Sequence, residues 1–255
     1  MNSSATYKLA LVAALEREIA PLIKNWTRIH REHAGRQFTF FEGGNMVAVC
    51  GGIGLEPARR AAEASIALYH PARLHSVGFA GALNHALHVA DIFSPAVVID
   101  ARDGSRHTLA GGEGKLVTFM GVAGAEQKAK LAEAYGASAV DMEAAAVAAA
   151  ARAHGITFGA TKVISDELDF EMPGMARFIN SAGQFNTASF ALFAARRPWL
   201  WKPVAKLASN SRKAAYALSA DLERFREDMA NAANPKPTSP SVTATTNPVR
   251  SGGRE

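Results

Sequence analysis

Apolar positions in this chain form short continuous runs, and these alternate with longer stretches of helical spacing. The run at residues 8–14 predicts a buried first strand that ends in a polar turn at Glu16-Arg17-Glu18. Phe38–Glu42 and Asn45–Cys50 flank Gly43-Gly44, which predicts a hairpin. Gly51-Gly52-Ile53-Gly54 then opens a helix with Pro57 in its first turn, running to about Tyr69. Leu74–Phe79 reads as a strand that closes on Gly78-Phe79-Ala80-Gly81. Ile92–Ile99 contains Pro95 and reads as a bent or edge strand. Leu116–Met120 is a further strand, followed by a helix from about Ala125 to Tyr135. A strand over Ala137–Asp141, an Ala-rich helix over Glu143–His154 and a strand over Thr157–Ile164 complete the alternation, with Gly155 at a helix C-cap position.

Strands alternating with helices predict an α/β three-layer sandwich around a central mixed sheet. The expected organisation is a main domain over residues 1–190 and a basic, aromatic helical extension over 191–230. Within 185–229 the helical pattern is expected to break at Pro198 and Pro203. Residues 231–255 are rich in Pro, Ser, Thr and Asn, with too little apolar surface to order themselves, and are expected to be a disordered tail.

Composition narrows the classes. The chain has 255 residues with a single cysteine, Cys50, which excludes a disulfide framework and a cysteine-based metal site. Its eight histidines are scattered, with His85 and His88 a close pair, so no metal is expected. No apolar run approaches the ~20 residues of a membrane span, and the N-terminus lacks a signal-peptide layout. A reduced, cytoplasmic protein is expected. The formal charge is +5, yet Arg196, Arg197, Lys202, Lys206, Arg212 and Lys213 lie together without an acid among them. Without those six, 22 basic residues face 23 acidic ones. The body is therefore near neutral, which argues against a nucleic-acid partner.

Ligands of open α/β sheets bind beyond the carboxyl ends of the strands. Glu18, Glu143 and Asp166 all follow predicted strands, and each taken alone could be no more than a helix cap. Glycine-bearing strand ends at Gly51–Gly54, Gly78–Gly81 and Gly121–Gly124 accompany them. The first does not complete a dinucleotide fingerprint, because Pro57 stands where its last glycine belongs. No cofactor is expected. Spacing alone stops at an α/β enzyme with a carboxylate-lined site.

Taken together, the blocks resemble the purine nucleoside phosphorylase superfamily, particularly its methylthioadenosine/S-adenosylhomocysteine nucleosidases. The likeness lies in Ala13-Ala14-Leu15-Glu16-Arg17-Glu18-Ile19, Gly51-Gly52-Ile53-Gly54, Val77 to Leu83 running on to Val89-Ala90-Asp91-Ile92, and Ala139-Val140-Asp141-Met142-Glu143-Ala144 followed by Val163-Ile164-Ser165-Asp166. The resemblance implies cleavage of an N-ribosidic bond, with an adenine nucleoside as substrate and a homo-oligomer, expected to be a dimer. It implies that Asp166 protonates the purine N7, which would require burial to hold its proton. Glu18 would be the base that activates water, Glu143 would bind the ribose hydroxyls and Met142 would pack on the sugar. Met120, Gly121 and Val122 would read the adenine edge. Gly54, Gly78, Phe79, Ala80, Gly81 and Lys162 would form the nucleophile side.

Two of these positions depart from the nucleosidase pattern. Phe79 stands where those enzymes carry Ser in a Gly-Ser-Ala-Gly-Gly loop, and Lys162 stands where they carry Arg. The stretch from Asp100 to Leu116 is also shorter. The apolar residue in the glycine loop, the compact segment from Leu116 to Glu143 and the late basic helix are similar to the hopanoid-associated phosphorylases, which release adenine from adenosylhopane. The aromatics among the six cations suit a peripheral contact of residues 196–213 with the inner face of a membrane, or packing of those aromatics on the domain. Glu18 favours water as the attacker, whereas Arg59 and Arg60 favour phosphate. A nucleoside-binding protein that kept the fold without catalysis is the alternative.

Overall fold

The computed structural model describes residues 8–171, 174–180 and 182–233. The expected tail, from residue 234 onward, lies outside the described residues. The chain forms β1 (Leu9–Ala13), α1 (Glu16–Ile23), β2 (Thr27–His33), β3 (Arg36–Gly43), β4 (Met46–Cys50), α2 (Leu55–Tyr69), β5 (Arg73–Ala82), β6 (Ile92–Phe93), β7 (Val97–Asp100), β8 (Arg106–Thr108) and β9 (Lys115–Thr118). It continues through α3 (Ala125–Tyr135), β10 (Ala139–Asp141), α4 (Ala144–Ala153), β11 (Thr157–Asp166), α5 (Thr187–Ala195) and α6 (Trp201–Ala233). A 3₁₀ turn over Pro198–Leu200 joins the last two helices.

The sheet runs in the order β2-β3-β4-β1-β5-β10-β9-β7-β8, with β11 pairing β5 and β6. It is mixed. β1 is parallel to β4 and β5, whereas β5 and β10 are antiparallel. All five residues of β1 are buried, as a central strand covered on both faces requires.

The branch at β5 makes the site possible. β11 pairs with β5 from Arg73 to Gly81 and so occupies one edge of it. The other edge pairs with β1 over Arg73–Ser76 and with β10 over Gly81–Ala82, leaving Val77–Ala80 between the two strands. A gap therefore opens in the sheet beside Gly78 and Phe79 of β5.

Two layers of helices cover the sheet. α2 and α4 bury their alanines against one face, with Phe40, Val47, Val49 and Leu74. On the other face Ile19, Leu22 and Ile23 of α1 pack with Ala214, Leu218 and Leu222 of α6. The second half of the late basic helix is thus part of the core, while its first half carries the exposed Trp201, Lys202 and Lys206.

Several elements differ from the sequence reading. Glu16-Arg17-Glu18 is not a turn but the opening of α1, because Ile19, Leu22 and Ile23 repeat at helical spacing and are buried. The hairpin gains a third strand, β2, whose polar residues sit at a sheet edge with little apolar signal. Pro95 separates β6 from β7 outright, and β8 was not expected. Pro203 does not break α6, since it lies in the first turn, where no intrahelical N–H bond is lost.

Candidate active site

Three strand ends bring Glu18, Glu143 and Asp166 to one cavity of about 160 Å³. Its walls also include Phe79, Ala80, Gly81, Gly121, Val122, Met142 and Lys128. Leu207 and Ser211 of α6 line the same cavity, so the basic C-terminal helix contributes to the site.

Glu18 lies in the first turn of α1 and folds back on that helix's start. Its Oε2 accepts hydrogen bonds from the N–H groups of Ala14 at 3.2 Å and Leu15 at 3.4 Å. The carboxylate rests against the bare Cα of Gly78. A Cβ there would stand 2.6 Å from Oε2, and the φ of +134° already disfavours other residues. Burial raises the Glu18 carboxyl to about 7, with Lys162 and the two backbone N–H groups pulling the other way. A carboxyl balanced near neutrality is what a general base needs.

Glu143 immediately precedes α4 and reaches across to α2. Its Oε1 accepts from Gly54 N–H at 2.8 Å and its Oε2 from Met142 N–H at 3.2 Å. The glycine-led helix start thus donates to a carboxyl of the protein itself. Burial, reinforced by Asp141 and Glu18, raises Glu143 to about 8.

Asp166 ends β11 just past a bulge that shifts its register against β5. Oδ1 accepts from the Ser165 hydroxyl at 2.7 Å, and Oδ2 accepts from Lys128 Nζ at 2.5 Å. The carboxylate is not the isolated buried acid expected, since its side chain is 24% exposed and ion-paired to a fully buried lysine. Gly81 leaves room for the pair. A Cβ at that position would sit 2.9 Å from Asp166 Oδ2 and 3.0 Å from Lys128 Cε.

Behind the cavity lies a buried polar cluster. Asp141 Oδ1 accepts from the Thr118 hydroxyl at 2.6 Å, while Oδ2 accepts from Ala144 N–H at 2.8 Å and pairs with Lys162 Nζ at 2.9 Å. Burial would discharge Lys162, but Asp141, Glu143 and Glu18 outweigh it and hold the ammonium protonated. Breaking such a pair leaves an uncompensated charge in the core. Lys162→Met is therefore expected to cost about 3–5 kcal/mol, read as a fall in the denaturation midpoint. A loss below about 1 kcal/mol would contradict the cluster's structural role.

Not every expected residue lines the cavity. Gly54, Gly78 and Lys162 stand behind its wall and act by supporting Glu143, Glu18 and Asp141. Met120 does not reach it. This side chain is 68% exposed and faces a separate cavity with Leu55, Arg59 and Arg102, because the backbone turns at Met120 and aims the next two residues inward. Arg59 and Arg60 do not face the carboxylates either; both pair with Glu56 on the surface of α2. Lys128 went unrecognised in the sequence. Its position three residues before the buried Leu131 places it on the inner face of α3, and that spacing is the signal that reveals it.

A second cavity, about 550 Å³ and mostly apolar, adjoins the first. The two share Arg17, Met175, Phe185, Leu207 and Ser211, and Pro21, Phe190 and Val204 extend the groove along α5 and α6.

Comparison with known proteins places this architecture. A family profile described as the Phosphorylase superfamily matches residues 8–116 and 118–195. A search of curated protein sequences gave no significant match. Among solved structures, the Helicobacter pylori 5′-methylthioadenosine/S-adenosyl homocysteine nucleosidase is similar at 17% identity and a TM-score of 0.66, over 88% of this chain and 99% of that one. The futalosine hydrolase of the same organism gives the same identity and score over 88% and 98%. The Arabidopsis thaliana 5′-methylthioadenosine nucleosidase gives 17% and 0.65 over 89% and 96%. At this identity the likeness is one of fold.

Proposed function

The chain belongs to the phosphorylase superfamily, and from that premise we propose that it cleaves the N-ribosidic bond of an adenine nucleoside carrying an apolar 5′ substituent, with water as the attacker. The observation that carries this reading is the convergence of Glu18, Glu143 and Asp166 on one cavity. Cleavage builds positive charge on the sugar and negative charge on the departing purine. Asp166 delivers a proton to N7, Glu18 takes one from water, and Glu143 holds the ribose hydroxyls over Met142. Gly121 and Val122 present backbone to the adenine edge. Water is favoured over phosphate because Arg59 and Arg60 are engaged elsewhere and the buried Glu18 would repel an anion.

The 5′ substituent follows from the groove. Its apolar walls run on from the cavity, and Phe79 adds an apolar face where a polar loop residue would hold more water. A long aliphatic group, as in adenosylhopane, suits that shape. The experiment is a series of 5′-alkylthio-adenosines of increasing chain length, assayed for free adenine with and without phosphate. Adenine release without phosphate, with kcat/KM rising along the series, is expected. Rates that require phosphate would replace water as the attacker, and binding without turnover would favour a non-catalytic role.

A lipid-like substrate calls for contact with a lipid surface, and the segment joining α5 to α6, the two helices of the groove, offers one. Leu192, Trp199 and Trp201 are 53%, 71% and 57% exposed around the 3₁₀ turn. Beside them stand the six cations from Arg196 to Lys213, none of which pairs with an acid among the described residues. Exposed indoles beside unpaired cations match an anionic interface. Deleting the segment would remove part of the core, so the test is W199S/W201S. The double variant is expected to lose most binding to vesicles containing phosphatidylserine and to keep its denaturation midpoint. Unchanged binding would contradict the surface assignment. No helix among the described residues is long and apolar enough to cross a membrane.

A further inference from the structure

The lysine behind Asp166 is a buried charge lining the site that the proposed chemistry leaves unused. Lys128 projects from α3 with its side chain wholly buried, yet it borders the cavity. Its Nζ donates to Asp166 Oδ2 at 2.5 Å and to the Glu167 carbonyl oxygen at 2.6 Å. Burying a lysine is costly unless it is paired, and a longer apolar side chain would fill the same space more cheaply. At Gly81 a Cβ would press on both Lys128 Cε and the Asp166 carboxylate, and the bare Cα gives the pair its room. α3, the end of β11 and Gly81 of β5 therefore converge on placing an ammonium against this carboxylate.

That arrangement bears on where the purine's proton comes from. A carboxyl that gives a proton must be supplied with another, and Asp166 Oδ2 has the Lys128 ammonium 2.5 Å away. Its other oxygen is taken by the Ser165 hydroxyl. Of the two side chains that donate to the carboxylate, only the lysine can give up a proton and be left neutral.

We propose that Lys128 supplies, through Asp166, the proton that the departing purine takes up. The Lys128 N–H bond breaks as an Asp166 O–H bond forms, giving a neutral amine beside a neutral carboxyl. As the ribosidic bond to N9 breaks and its electron pair moves onto the purine, the Asp166 O–H bond breaks and an N7–H bond forms. Meanwhile Glu18 takes a proton from the attacking water, whose oxygen bonds to the sugar. At the end Lys128 lacks one proton and Glu18 holds one extra, and exchange with solvent restores both. The sum is nucleoside plus water giving adenine plus free sugar, with no other reactant.

This inference rests on the ribosidic cleavage proposed above, so the test separates the two. Wild type, K128M and K128R are assayed on a 5′-alkylthio-adenosine and on the matching 4-nitrophenyl riboside, whose leaving group departs as a stable anion without a proton. Transfer of one proton at the transition state is worth about 10²–10⁴-fold. K128M is expected to lose about 10²-fold or more in kcat on the nucleoside with little change in KM, and far less on the nitrophenyl riboside. K128R, which keeps the charge but holds its proton more tightly, is expected to fall between them. In K128A, added methylamine is expected to restore part of the nucleoside rate.

Equal losses on both substrates would reduce Lys128 to a packing role, and an unchanged nucleoside rate in K128M would also overturn the relay. If the wild type cleaves neither substrate, the failure belongs to the site assignment itself. Should K128M not fold, K128R and the amine response of K128A carry the comparison alone.

Discussion

Asp166→Asn is expected to lower adenine release by about 10³-fold while leaving substrate affinity within a few-fold. The amide keeps the shape of the carboxyl and an oxygen that can accept from the Ser165 hydroxyl. What disappears is the group that can receive a proton from one side and deliver it on the other. An amide at N7 offers a hydrogen bond but no transferable proton. Because the negative charge on the purine develops only as the bond breaks, the loss should fall on kcat rather than on binding. Adenine production and substrate binding by calorimetry check the two halves separately. A variant with more than a tenth of the wild-type rate would remove Asp166 from the reaction.

Glu18→Gln is the second large effect, and it carries a stability signature as well. The base must be ionised, so wild-type activity is expected to rise with pH through about 7. The variant should lose about 10²–10³-fold and lose that rising limb.

Its stability should move the opposite way. The folded state holds the Glu18 proton up to about 7, against a reference value of 4.5, so it binds that proton more tightly than the unfolded chain does. The resulting stability is fully present below pH 4.5 and is lost as pH rises to about 7. At about 1.4 kcal/mol per pH unit, the loss amounts to at most about 3.5 kcal/mol. A neutral glutamine avoids it. Glu18→Gln is therefore expected to melt several degrees above wild type at pH 8 and close to it at pH 4.5. A midpoint difference that does not depend on pH would contradict the burial of an ionising carboxyl at this position.

The carboxylates could be located from sequence because strand ends are legible there. Short apolar runs such as Leu9–Ala13 match buried strands in length, and the acids that follow them lie at the strands' carboxyl ends by geometry. α1 was not legible. The Glu16-Arg17-Glu18 start looks like a turn, and only the spacing of Ile19, Leu22 and Ile23 marks it as helical. β2 has an alternation too weak to announce a strand, because it lies at the sheet edge and buries almost nothing.

The site shows the same division. Glu18, Glu143 and Asp166 are acids just beyond or at the ends of apolar strand runs, where an unexplained charge attracts attention. Lys128 is a lysine in an Ala- and Lys-containing helix, where such residues are normally solvated. Its partner is 38 residues away in the chain, so no local pattern reports the pair. The apolar groove likewise draws on α1, α5 and α6, and sequence could identify the aromatics but not the surface they jointly form.

The central claim is that these three carboxylates break an N-ribosidic bond with water. It is tested most directly by following free adenine from a 5′-alkylthio-adenosine in phosphate-free buffer, with wild type beside Asp166→Asn and Glu18→Gln. Complete conversion to adenine by the wild type, and less than a hundredth of that initial rate from either variant, is the result expected. Recovery of intact nucleoside from the wild type, or adenine formed at equal rates by all three proteins, would contradict it.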